Sequence, residues 1–195
     1  MSVTDNAPVG NDVRARLQRA ALELYRDRGY DETTAAQVAE RAGVTERTFF
    51  RHFVDKREVL FGGEPELLAA IAAAIVSAPP ELGPLDALRR AVETIQPVIE
   101  DARPFSEPRH ELIWSTPALR ERELTKRAAM VDAAEQALIR RGTPARLAAL
   151  SANAGVAAFL HAVVAWFEDP GPGLTEHLDA AFDDLRMLSS GGDGE

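Results

Sequence analysis

The chain has no cysteine. That excludes disulfides, a thiolate metal site and a cysteine nucleophile, and it fits a reducing cytoplasm. No stretch alternates apolar and polar residues strictly, so no half-buried strand is expected. No His/Asp/Glu cluster has metal-ligand spacing; His110 and Glu111 are adjacent, which does not put them on one helical face. There is no nucleophile–base pair and no phosphate loop, so no metal and no cofactor are expected. The first ten residues, MSVTDNAPVG, lack a basic segment followed by an apolar run; they read as a disordered leader rather than a signal peptide. One run, Leu147 to Phe167, lacks charge altogether and is long enough to span a bilayer. It is rich in alanine and holds Ser151, Asn153, Gly155 and His161, which suits a helix buried between helices, so no membrane partner is expected.

What is present is helical period almost throughout the 195 residues, enough chain for one or two domains with a real core. The fold class expected is all-α. Val13, Leu17, Ala20, Ala21 and Leu24 form one apolar stripe, and Gly29 ends that helix. Thr34 with Gln37 has capping-box spacing and opens a second helix, which Gly43 stops. Thr45 caps a third, running to about Phe53, and Asp55 is placed to cap a fourth. Thr116-Pro117 and Thr143-Pro144 each read as a capping hydroxyl before a proline at the first helical position. Pro65, Pro84 and Pro104 mark further breaks or starts. A last amphipathic helix carries Leu174, Leu178, Ala181, Phe182, Leu185 and Leu188, before a flexible SSGGDGE tail.

Charge divides the chain. Residues 11–60 hold ten Arg and Lys against nine Asp and Glu; residues 61–195 hold twelve against twenty-one, and the whole chain is −9. An acidic body with one neutral-to-basic end can meet nucleic acid through that end. Gly62-Gly63 marks the boundary, giving a leader over 1–10, a first domain over 11–60, a second over 64–189 and a tail over 190–195.

The stretch GVTERTFFRHFVDK, Gly43 to Lys56, mixes three phenylalanines with phosphate-seeking groups. A helix-turn-helix accounts for the mixture. One face, with Phe49 and Phe53, packs on the preceding helices. The other needs hydrogen-bonding groups for a major groove, and Glu46, Arg47 and Thr48 supply them. The Thr45 hydroxyl, Arg51, His52 and Lys56 suit phosphates.

These features resemble the TetR family of bacterial transcriptional repressors. The matching pattern runs from Val13 to Leu60: the GY…TT opening, the VAERAGV turn, the TFFRHF recognition helix and the K-x-x-V-L exit. The resemblance implies an N-terminal three-helix DNA-binding domain and a C-terminal helical ligand-binding and dimerisation domain. It implies phosphate or base contacts for Thr34 and Gln37, base contacts for Glu46, Arg47 and Thr48, and backbone contacts for His52 and Lys56. Arg51 lies where residue type varies. Phe50 stands where the family usually has tyrosine, which removes a phenol hydroxyl often used on phosphate. The segment from Glu107 to Arg127, EPRHELIWSTPALRERELTKR, is similar to a subgroup that includes acyl-coenzyme A-sensing, mycofactocin-type regulators.

The expected partners are therefore a double-stranded DNA operator, a second copy docked through the 147–167 and 174–188 helices, and an apolar or acyl-coenzyme A-like effector. Candidate pocket residues are Phe105, His110, Trp114, Phe159, His161 and Trp166, each of which also suits plain core packing. Arg109, Arg120 and Arg122 suit an acidic ligand or solvated ion pairs. A helical enzyme and an interaction module without a DNA role stay as alternatives at this point.

Overall fold

The computed structural model describes the backbone of residues 9–190 and the side-chain surroundings of residues 12–188. The expected leader and tail fall almost wholly outside the described residues. Among the described residues there are helices and no strands: α1 (Val9–Arg28), α2 (Ala35–Arg41), α3 (Glu46–His52), a 3-10 turn (Glu58–Phe61), α4 (Glu64–Ser77), α5 (Pro84–Asp101), α6 (Arg103–Ser115), α7 (Pro117–Arg140), α8 (Ala145–Glu168) and α9 (Gly173–Ser190).

The chain forms two compact units. The first joins residues 1–64 to Pro104–Leu124; the second joins Pro65–Arg103 to Thr125–Glu195. A division near residue 62 thus describes the first crossing only. Residues 104–124 return to the first unit because Leu112, Ile113 and Leu119 are buried in its core beside Leu17, Leu24, Phe49 and Leu60. A sequence pattern shows that these residues are apolar on one side of a helix, but not which core that side joins.

In the first unit, α1 buries Leu17, Ala20, Ala21 and Leu24, as the stripe predicts. An ion-pair network closes the core near the 3-10 turn. The guanidinium groups of Arg109 and Arg122 each lie 4.8 Å from the ring centre of Phe61. Arg109 donates to the Leu60 carbonyl (2.5 Å) and to Glu123 (3.0 Å). Arg122 donates to both Glu58 oxygens (2.7 and 3.1 Å) and to Glu64 (2.6 Å). These are largely buried pairs, not solvated ones. Burial holds Arg109 below its usual value, with Glu123 pulling it back up.

The second unit is built on α8. Its Ala148, Ala152, Gly155, Phe159, Ala162 and Trp166 recur at helical spacing and are buried, with α5 and α9 packed against it. Gly155 permits the closest approach: a Cβ there would lie 2.7 Å from Leu88 Cδ1. Both α8 and the stretch Glu58–Ser77 are long and apolar enough to cross a membrane by length and composition alone; core packing accounts for the buried face of α8. Arg141 clamps the α4–α5 connection by donating to the carbonyls of Ile75, Ala78, Pro79 and Leu82. Two expectations change here. α8 starts at Ala145 with Pro144 as its cap and no side-chain cap bond, so Thr143 does not cap it. Leu188 is 82% exposed, outside the core that holds Leu174, Leu178 and Phe182.

Candidate nucleic-acid interface

Two seven-residue helices and the turn between them form the candidate interface. Helices this short are marginal alone, so capping and packing must hold them. For α2, Gln37 N–H donates to Thr34 Oγ1 (3.2 Å), and Thr34 N–H donates to Gln37 Oε1 (2.9 Å). The expected capping box is complete. For α3, Thr48 N–H donates to Thr45 Oγ1 (3.2 Å), and the two threonine hydroxyls share a 3.0 Å hydrogen bond. Gly43, at φ +69°, makes the turn in a conformation that costs other residues free energy. Arg16 of α1 ties the turn down by donating to the Ala42 carbonyl (3.1 Å).

The phenylalanines divide as the pattern requires. Phe49 is wholly buried and Phe53 is 4% exposed. Phe50 is 51% exposed, its ring standing edge-on against Phe49 with centres 5.3 Å apart. Glu46, Arg47 and Arg51 are exposed beside it. Arg47, Thr48, Phe50 and Arg51 line one open concavity of about 580 Å3. The face that carries these residues is polar and basic with one apolar ring at its centre.

Three candidate contacts have internal work. Thr34 and Gln37 are each engaged in the capping box. Lys56 spends its ammonium donors on the carbonyls of Tyr30 (2.8 Å), Asp31 (3.2 Å) and Thr33 (3.0 Å), and its ammonium sits 4.4 Å from the Tyr30 ring centre. It pins the α1–α2 loop, and Tyr25 strengthens the same joint by donating to the Lys56 carbonyl (2.6 Å). His52 is half-buried, and its Nε2 is buried without a hydrogen-bond partner. Burial, then Arg51 and Arg14, hold its imidazole below the usual value. Arg14, whose guanidinium lies 5.2 Å from the Phe53 ring centre, is a neighbour that no local signal predicts, because the contact joins α1 to α3 across nearly forty residues. Asp55 accepts from the N–H groups of Arg57 and Glu58 at the start of the 3-10 turn, although the turn's N-cap position is Arg57 and carries no side-chain cap.

The effector candidates separate. Phe105, His110 and Trp114 belong to the first unit, and Phe159, His161 and Trp166 to the second. Phe159 and Trp166 are core residues, with the Arg103 guanidinium 4.5 Å from the Trp166 ring centre. His161 is exposed on α8 rather than buried in it.

A capped helix-turn-helix with an exposed polar face on its second helix defines a DNA-binding unit. Family comparison places it further. Residues 17–61 match the model described as bacterial regulatory proteins, tetR family, and residues 82–188, more than half the chain, match the MftR C-terminal domain. The chain belongs to the tetR family of bacterial regulatory proteins, in the branch with an MftR-type C-terminal domain. It is 26% identical over 174 residues to MftR of Mycobacterium tuberculosis, named as a regulator of mycofactocin biosynthesis, covering 86% of each chain. It is 39% identical over 88 residues to the HTH-type transcriptional regulator TcmR of Streptomyces glaucescens, covering 45% of this chain and 39% of that protein. Among solved structures, SmeT of Stenotrophomonas maltophilia bound to triclosan superposes with a TM-score of 0.64 at 19% identity, covering 91% of this chain and 90% of that one. Thermus thermophilus FadR, a repressor bound to lauroyl-CoA, does so with a TM-score of 0.57 at 25% identity, covering 93% and 96%. The protein is a DNA-binding transcriptional regulator.

Proposed function

We propose that this regulator is a cytoplasmic homodimeric repressor that places α3 of each subunit in the major groove of a near-palindromic operator and lets go when an apolar, acyl-CoA-like effector binds. The observation that carries the reading is the exposed face of α3, with Glu46, Arg47, Phe50 and Arg51 outward and Phe49 and Phe53 inward. Arg47 suits a guanine edge and Glu46 a cytosine amine. Arg51, the Thr45 hydroxyl and a protonated His52 suit phosphates. Thr34, Gln37 and Lys56 act mainly by holding α2 and its loop in place.

The second copy is proposed to dock on α8 and α9. Leu147 and Leu150 are 46% and 61% exposed on α8, in line with Ala157 and His161; Met187 and Leu188 are exposed on α9. An apolar strip of this kind favours a symmetric, self-complementary interface. The lauroyl-CoA bound to FadR and the triclosan bound to SmeT support an apolar effector. An effector that favours a DNA-incompetent arrangement weakens DNA binding by the factor by which DNA weakens the effector.

Fluorescence anisotropy on a DNA fragment retained by the protein tests this. Affinity should fall steeply with salt, as phosphate contacts require, and lauroyl-CoA should release the fragment while lauric acid or free coenzyme A does so less well. A fragment that stays bound at saturating lauroyl-CoA rules out the acyl-CoA class.

A further inference from the structure

We infer that Phe50 reads a thymine methyl group in the major groove. The inference rests on the reading of α3 as the helix that enters that groove. Of the three phenylalanines between Phe49 and Phe53, only Phe50 is left out of the core, at 51% exposure. Its ring stands edge-on to that of the buried Phe49. Arg47 lies three residues before it and Arg51 directly after, so a large uncharged ring stands in the middle of a basic face. With Arg47, Thr48 and Arg51 it lines the concavity of about 580 Å3 on that face.

The chemistry of the groove selects the partner. Base edges there present acceptors and amine donors, which match arginine and glutamate, and one apolar group, the C5-methyl of thymine. A phenyl ring has no donor for an edge acceptor and no charge for a phosphate. The thymine methyl is the group in the groove that it complements, and the Arg47 and Arg51 side chains on either side set its register. Three residues of α-helix advance about 4.5 Å, so the thymine lies within one or two base pairs of the base that Arg47 contacts.

The test uses the full-length protein and a duplex selected from random DNA. Each thymine is replaced in turn by uracil, symmetrically in both half-sites; this removes the methyl and leaves every hydrogen-bonding group. One position should weaken wild-type binding about fourfold per half-site, the worth of one buried methyl-sized group. Phe50→Ala should be indifferent to uracil at that position, while Phe50→Leu should keep the preference. Circular dichroism should show both variants folded, since the ring is half exposed. Specific binding with no uracil-sensitive position, or the same sensitivity in Phe50→Ala, overturns the inference and leaves the DNA-binding reading intact. Failure to retain any preferred duplex overturns that reading, and the inference with it.

Discussion

Removing the carboxylate of Glu123 should unfold the first unit far more readily than a surface change of the same size. Glu123 and Arg109 are 9% and 11% exposed in their side chains and meet at 3.0 Å. In Glu123→Ala the guanidinium keeps the Leu60 carbonyl and the face of Phe61, but loses the carboxylate that offsets its desolvation. Breaking a buried pair from one side costs about 3–5 kcal/mol. Glu64 lies near enough to act on Arg109, so the lower end, about 3 kcal/mol, is expected. For a chain of this length that corresponds to a fall in Tm of about 6–12 °C. Thermal unfolding followed by circular dichroism, at one fixed protein concentration because association adds stability, measures it. The double variant Arg109→Met with Glu123→Ala should be less destabilised than the sum of the two single variants by at least about 1 kcal/mol, because it leaves no unpaired buried charge. A Tm shift under about 2 °C for Glu123→Ala, or additive single variants, would refute the argument: water would then be solvating the pair.

Three other outcomes are expected. Arg47→Ala should weaken binding to the preferred duplex by about 1–3 kcal/mol and relax base preference at one position; equal weakening on every duplex in an anisotropy series would assign Arg47 to phosphate instead. Because His52 is held below its usual value in the free protein, the unfolded chain binds a proton more readily, so stability falls as pH drops through the ordinary imidazole range toward the lowered value. A phosphate beside His52 would raise it again, so affinity should increase from about pH 7.5 to about pH 6, and His52→Gln should flatten both profiles; unchanged profiles would remove His52 from the interface. Gly155→Ala would put a Cβ 2.7 Å from Leu88 Cδ1, in a buried contact, and should cost about 1–3 kcal/mol in a urea melt; a neutral result would mean that α5 yields freely.

The helix-turn-helix was legible in the sequence because its signals are local. Thr34 with Gln37, Gly43, and Thr45 act within four residues of the structure they specify, and helical period alone separates Phe49 and Phe53 from Phe50. Apart from the Thr143 cap, the readings that changed depend on distant partners. Lys56 looks like a free cation in the sequence, yet it closes on carbonyls more than twenty residues earlier. Arg109 and Arg122 look solvated until Phe61 and three glutamates surround them. The return of residues 104–124 to the first unit has no local mark, since an apolar helix face does not name its core. The six effector candidates were chosen as aromatic or imidazole groups on apolar ground, and that criterion cannot tell two cores apart. The exposure of His161 was hidden for a related reason: a run without charge can be buried on one face and open on the other, and His161 lies on the open one.

Selection from random duplex DNA by the purified protein, at low and moderate salt, followed by sequencing of what is retained, tests the central claim most directly. The account predicts one near-palindromic motif, with half-sites separated by about a helical turn or a multiple of it, lost from the selection when Arg47→Ala replaces the wild type. Retention of DNA without sequence preference, or the same motif with Arg47→Ala, would contradict the assignment of α3 as the element that reads bases.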